Sequence, residues 1–218
     1  MRTKGRGGAL AFKAPAQGLQ AAGLLALLCL ALGARSLTLS KDHPFPIYDE
    51  TDYLQLAQEY AGRGGIIPAV ACYWKLQCLD DNRNPLYLFA LTPFMSGGPE
   101  DFAKAKLISL AVAVGLVLLI FWMSLRLWGY DTAIAAAAIV ALSPATAYMS
   151  RYVSADALFA AAYCATVFVI AGPDDLRRSW PAWGALTAAA FLCKANGHLL
   201  FLTALACGLG RHGTAFLR

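Results

Sequence analysis

The chain has 218 residues, 59% of them hydrophobic and 14% charged, with a mean hydropathy of +0.54. A soluble domain carries about 45–50% apolar and about 25% charged residues, so the composition argues against a soluble globule, a disordered chain or a small disulfide scaffold. The net charge of +5 splits by position: residues 35–101 hold nine acidic and five basic residues (−4), and the remainder holds 13 basic and four acidic (+9). The basic residues stand singly or in pairs between apolar runs, not on one polar face, which argues against nucleic acid as a partner.

Residues 1–17 form a basic N-terminus with Arg2, Lys4, Arg6 and Lys13. The apolar run 18–34, Gly18 to Ala34, is of membrane-span length. Its Ala31-Leu-Gly33 resembles a signal-peptide cleavage site, and cleavage would leave the next segment on the same side. Residues 35–101 read as a folded external loop. Pro44 and Pro46 impose an extended lead-in. Apolar residues then recur at Tyr53, Leu56, Ala57, Tyr60 and Ala61, and Gly62, Gly64 and Gly65 stop the pattern. This spacing predicts an amphipathic helix of about three turns lying in the membrane interface. Pro85–Met95 predicts a second, short helix with Asn84 as N-cap and Pro85 at the first position. It is too short to span and is read as interfacial or re-entrant.

Residues 102–210 predict a bundle of about five spans. Leu107–Met123 has no charge; Thr132–Met149 has Pro144 near its end; Ala157–Gly172 is entered through Arg151 and Asp156. The stretch Trp180–Gly210 is interrupted at Lys194–His198. As one helix its 31 residues would reach about 46 Å, against a hydrocarbon core of about 30 Å, so two short helices are expected. Residues 211–218 return to the first side. The fold class is therefore an all-α polytopic membrane protein of about six transmembrane helices. Arg2, Lys4, Arg6, Lys13, Arg126, Arg177, Arg178, Arg211 and Arg218 fall on one side of that topology, and only Arg151 and Lys194 mark the opposite short loops. The positive-inside rule puts both termini in the cytoplasm and the acidic loop outside, as in a bacterial inner membrane.

Cys72 and Cys78 lie in the external loop, where a disulfide is chemically allowed. A zinc site there would need ligands beyond His43. The cysteines within the spans, Cys29, Cys164, Cys193 and Cys207, read as small apolar residues.

Two readings stand at each candidate site residue. Asp49 and Glu50 lie where the extended lead-in meets the helix, so Asp49 either caps that helix or serves as a carboxylate that accepts a proton from a nucleophile. Arg83 either snorkels or binds phosphate. Arg151 and Asp156 are five residues apart and are no natural helical pair. Ionisable groups at membrane depth are costly, which favours function at Arg151, Asp156 and Lys194. A lone lysine at a helix end also commonly reaches for headgroups.

The ordered pieces Tyr48-Asp-Glu-Thr-Asp-Tyr53, Arg83-Asn-Pro-Leu-Tyr87, Ser143-Pro144, Arg151-Tyr-x-x-x-Asp156 and Leu192-Cys-Lys-Ala-Asn-Gly197 resemble the N-terminal part of the GT-C membrane glycosyltransferases. The protein O-mannosyltransferase and lipid A aminoarabinose transferase group is the nearest match. The resemblance implies inverting transfer of a sugar from a polyprenyl-phosphate donor to a protein or lipid acceptor on the external face. On it, Asp49 would be the general base, with Glu50 in support and Asp156 as a second acidic group. Arg83, Arg151 and Lys194 would contact the donor phosphate. A divalent cation stays open. Asn84 departs from the family's usual first proline, and the family's chains are longer, so a truncated or shortened form is expected. The rival readings are a non-catalytic subunit that binds lipid-linked sugar, and a transporter for such lipids.

Overall fold

The computed structural model describes residues 15–40, 44–75, 77–78, 83–171 and 176–212. Lys41–His43, Asn82, the basic residues before position 15 and Arg218 fall outside them. Every regular element among the described residues is helical: α1 Pro15–Ser40, α2 Asp49–Gly62, α3 Ile66–Trp74, α4 Pro85–Leu91, α5 Asp101–Trp128, α6 Tyr130–Leu142, α7 Pro144–Arg151, α8 Asp156–Ala171, α9 Leu176–Cys193 and α10 His198–His212. Short 3-10 turns, Thr92–Phe94 and Ala195–Gly197, follow α4 and α9.

By length and composition α5 is long and apolar enough to cross a membrane. The pair α6 and α7 meets the same test only when taken together, bent by 56° at its break. The helical stretches Ala21–Leu37, Asp156–Ile170 and Pro181–Cys193 are apolar but shorter. The run expected as one span over Thr132–Met149 is thus bent and broken at Ser143. Its break follows from local chemistry. Ser143 is extended, its hydroxyl accepts a hydrogen bond from the Ala145 N–H at 3.1 Å, and Pro144 opens α7 without an N–H of its own. The stretch 180–210 is likewise two helices with a turn at 195–197, as its length requires.

Two cores hold the chain. In the bundle, Ala133, Ala137 and Ala141 make a fully buried stripe along α6, and Ala137 and Ala141 pack with Leu28 and Leu32 of α1 and Ala113 and Val117 of α5. Small residues four apart let helix backbones approach closely, and that close packing holds helices together in lipid, where apolar burial gives little. Leu30, Leu107, Leu118, Trp122 and Ile139 point outward, as side chains facing lipid do.

The second core is the external unit. Tyr53, Ala57 and Tyr60 of α2 pack with Tyr87, Leu88 and Leu91 of α4 and with Val153 and Ala155 of the segment after α7. The apolar face of α2, expected to lie in the membrane interface, is therefore covered by the protein itself. Tyr87 meets Tyr53 edge to face there, with ring centres 5.2 Å apart. Cys72 and Cys78 form a disulfide. It ties the chain after α3 to a helix whose Tyr73 packs on Tyr60 and Phe89. Asp101 anchors the unit to α5: it is fully buried and accepts hydrogen bonds from Gln58 Nε2 at 3.0 Å, the Gly97 N–H at 2.8 Å and Lys104 Nζ at 3.1 Å.

Candidate active site

The chain turns into α2 at Tyr48, which takes a φ of +48°, an unusual value for an aromatic residue. Tyr48 occupies the N-cap position without a side-chain capping bond, and Asp49 is the first helical residue, its Oδ1 taken by Arg83. The capping reading of Asp49 does not hold. Consecutive acids then diverge. The Asp49 side chain is 64% exposed, whereas Glu50 is only 2% exposed.

Arg83 Nη2 bridges two carboxylates of α2, Asp49 Oδ1 at 2.6 Å and Asp52 Oδ2 at 2.7 Å. Its guanidinium carbon also lies 5.6 Å from the ring centre of Tyr53. Burial opposes the Arg83 charge, but the hydrogen bond to Asp52 and the charge of Asp49 outweigh it and hold its pKa above the ordinary value. The neighbouring Asn84 is the residue before α4, yet its side chain does not cap. It donates from Nδ2 to the Phe191 carbonyl at 2.6 Å, which ties the Arg83 segment to the end of α9.

Lys194 follows α9 and pairs with Asp156, the first residue of α8. The headgroup-seeking reading of Lys194 thus gives way to an internal ion pair, and Asp156 does not pair with Arg151. Gly197 sets this corner. A Cβ there would lie 2.3 Å from the Phe191 nitrogen and 2.5 Å from the Ala190 carbonyl carbon, so only glycine fits without moving α9. Tyr53 joins the two ion-paired groups. Burial pushes its phenol up to about 12; Arg83 pulls the other way, and Asp49 and Asp156 add to the rise. One phenol thus feels both carboxylates.

Glu50 faces the opposite way. Its Oε1 accepts the Val153 N–H at 2.9 Å and its Oε2 accepts the Ile47 N–H at 3.1 Å. Lys106 and Arg151 line one pocket of about 230 Å³, together with Ser36, Ser150 and the apolar Leu37, Ala103, Leu107 and Leu110. The Arg151 guanidinium lies over the Tyr152 ring at 5.2 Å, and its Nε is buried with no hydrogen-bond partner among the described residues. A buried donor left over is costly unless a ligand meets it.

A family profile described as dolichyl-phosphate-mannose-protein mannosyltransferase matches residues 71–217, two-thirds of the chain. The chain belongs to that mannosyltransferase family. It is accordingly a membrane glycosyltransferase of the GT-C type, and Arg83, Arg151, Asp156 and Lys194 lie inside the matched region. Asp49 and Glu50 precede it. Comparison with curated proteins and with solved structures gave no match.

Sequence reading gave no role to Asp52, Tyr53, Lys106 or Asp101. Asp52 stood inside a quoted motif, three residues from Asp49 and so on the same helix face, which was a usable signal. Lys106 stands directly before the charge-free run that opens at Leu107. Among the described residues no three His, Cys, Asp or Glu side chains converge to hold a metal ion.

Proposed function

We propose that this mannosyltransferase-family chain moves a sugar from a polyprenyl-phosphate donor to a protein or lipid acceptor on the external side of the membrane, inverting the anomeric carbon. The observation that carries the reading is the pocket with Lys106 and Arg151 among Leu37, Leu107 and Leu110. Two cations beside leucines suit a phosphate joined to an apolar tail. Arg151 and Lys106 line this pocket and would hold the donor phosphate, while Arg83 and Lys194 pair with carboxylates.

The chemistry divides between the two clusters. The acceptor O–H breaks as its oxygen attacks the anomeric carbon, and the proton goes to a carboxylate of the Arg83-bridged pair, Asp49 or Asp52. The bond from that carbon to the phosphate oxygen breaks, and the departing phosphate keeps the electron pair. Arg151 and Lys106 stabilise the charge that develops there. Asp156, held by Lys194, orients the acceptor. Glu50 serves as a tie, not as a second base: it fixes the segment after Arg151 to α2 through Val153.

Six spans with both termini cytoplasmic fit the same reading. Asp156, Lys194, Arg151 and the α2–α4 unit gather at one end of the helices, and Trp122 with Arg126 beside it, 5.7 Å from its ring centre, marks the other.

Reconstituted full chain with dolichyl-phosphate-mannose and an acceptor peptide tests it. Asp49→Asn and Asp52→Asn, assayed separately, should identify the base, with one of them losing at least about a hundredfold in transfer while membrane insertion is retained. Full transfer by both variants would remove the pair from the mechanism. Arg151→Ala should raise the donor KM, and an unchanged KM would remove the donor pocket.

A further inference from the structure

We propose that Arg35 is a positioning residue for donor binding, acting through the bend between α6 and α7; the inference rests on the reading of Arg151 as a phosphate ligand. Arg35 lies inside the apolar stretch Ala21–Leu37 of α1, where an arginine is costly without a task. Its Nη1 donates to the Leu142 carbonyl at 2.7 Å. That carbonyl is the last of α6, at the point where Ser143 turns extended and Pro144 offers no N–H. Arg35 thus supplies the donor that the broken helix lacks, and its charge sits at the negative end of the α6 dipole.

The next residue grips the other end of α7. The Ser36 hydroxyl hydrogen-bonds the Ser150 hydroxyl, and both groups are buried. Ser150 is followed by Arg151, which closes α7. Ser36 and Leu37 also line the donor pocket with Ser150 and Arg151. Consecutive residues of α1 therefore clamp both the start and the finish of the bent helix and then become wall of the pocket it points into.

The lever is short but sufficient. Eight residues of α7 span about 12 Å, so a change of about 10° at the break moves Arg151 by about 2 Å. A binding group must be held to about 0.5 Å to keep its geometry. The 56° bend therefore has to be held to within a few degrees; Ser143 and Pro144 set where it falls, and the α1 contacts brace it from outside.

The test is steady-state kinetics of the full chain in nanodiscs with dolichyl-phosphate-mannose as donor. Arg35→Leu should raise the donor KM about tenfold with kcat within about twofold, and Arg35→Lys should restore most of the loss, since an ammonium also donates to a carbonyl. In an Arg151→Lys background Arg35→Leu should add less than about threefold, because both changes act on one contact. Ser36→Ala, which removes one hydroxyl and leaves α1 its apolar character, should raise KM about threefold. An unchanged KM in both Arg35→Leu and Ser36→Ala overturns the proposal, as does the same tenfold factor in the Arg151→Lys background. A normal donor KM in Arg151→Ala instead overturns the donor-site reading, whatever Arg35 does.

Discussion

Replacing Glu50 by alanine removes the acceptor for two backbone N–H groups, that of Val153 at 2.9 Å and that of Ile47 at 3.1 Å. Val153 is fully buried, so no water reaches its N–H in exchange. Leaving a buried donor unmet costs about 1–3 kcal/mol, and the Ile47 bond adds about 1 kcal/mol, for a loss of about 2–4 kcal/mol. For a chain of this length about 1 kcal/mol corresponds to a melting shift of about 2–4 °C. Thermal unfolding of the purified chain in detergent should therefore show a drop of at least about 4 °C for Glu50→Ala. Glu50→Gln should fall between, because an amide presents one acceptor and turns an NH2 toward the second N–H. Asp49→Asn is the contrast: its side chain is 64% exposed, and the melting temperature should stay near that of the parent. If Glu50→Ala melts like the parent chain, the carboxylate does not hold the segment after α7. If Asp49→Asn melts as low as Glu50→Ala, the division of labour between the two adjacent acids is wrong.

Gly197→Ala should destabilise the chain and weaken transfer, since the added carbon would lie 2.3 Å from the Phe191 nitrogen and push the Lys194 corner away from Asp156; a melting curve and a transfer assay both read it. Cys72 and Cys78 should resist alkylation until a reductant is added, as intact-mass measurement will show, and Cys72→Ser should cost about 2 kcal/mol of stability. Labelling of both cysteines without reductant would contradict the bridge. Burial holds the Tyr53 phenol up to about 12, above the value of about 10 for a free tyrosine. The folded chain therefore binds this proton more tightly than the unfolded chain. That stability is complete below pH about 10 and is lost as pH rises through about 12. An ultraviolet difference titration of the parent against Tyr53→Phe should place the tyrosinate midpoint near the upper figure, and a midpoint near the lower one would show Tyr53 to be solvated.

Much of the candidate site was legible by type but not by partnership. The motif around Tyr48–Tyr53 and the motif at Arg83 were both visible, and each held residues that the structure brings together. What could not be read was that Arg83 turns to Asp49 and Asp52, 34 and 31 positions earlier in the chain. An arginine beside a proline looks the same whether it meets a phosphate or two carboxylates. Likewise Lys194 and Asp156 were each singled out, but their pairing depends on how α8 and α9 pack side by side.

The sequence by itself determined that the chain is helical and membrane-bound, where its apolar runs start and stop, and where one of them must break. These follow from local quantities: a backbone in lipid satisfies its own hydrogen bonds, and residue count sets length. It also determined the family, through motifs whose order survives in the residues alone. Only the tertiary structure decided that Asp49 faces out and Glu50 faces in. The two are adjacent and nearly identical in chemistry, so no local rule separates them. The difference arises because Val153, 103 positions from Glu50, offers a buried N–H to one of them and Arg83 a guanidinium to the other. In the same way, Lys106 and Arg151 become one pocket only because α5 and α7 lie against α1, a contact that the summed packing of the bundle sets and no segment encodes alone.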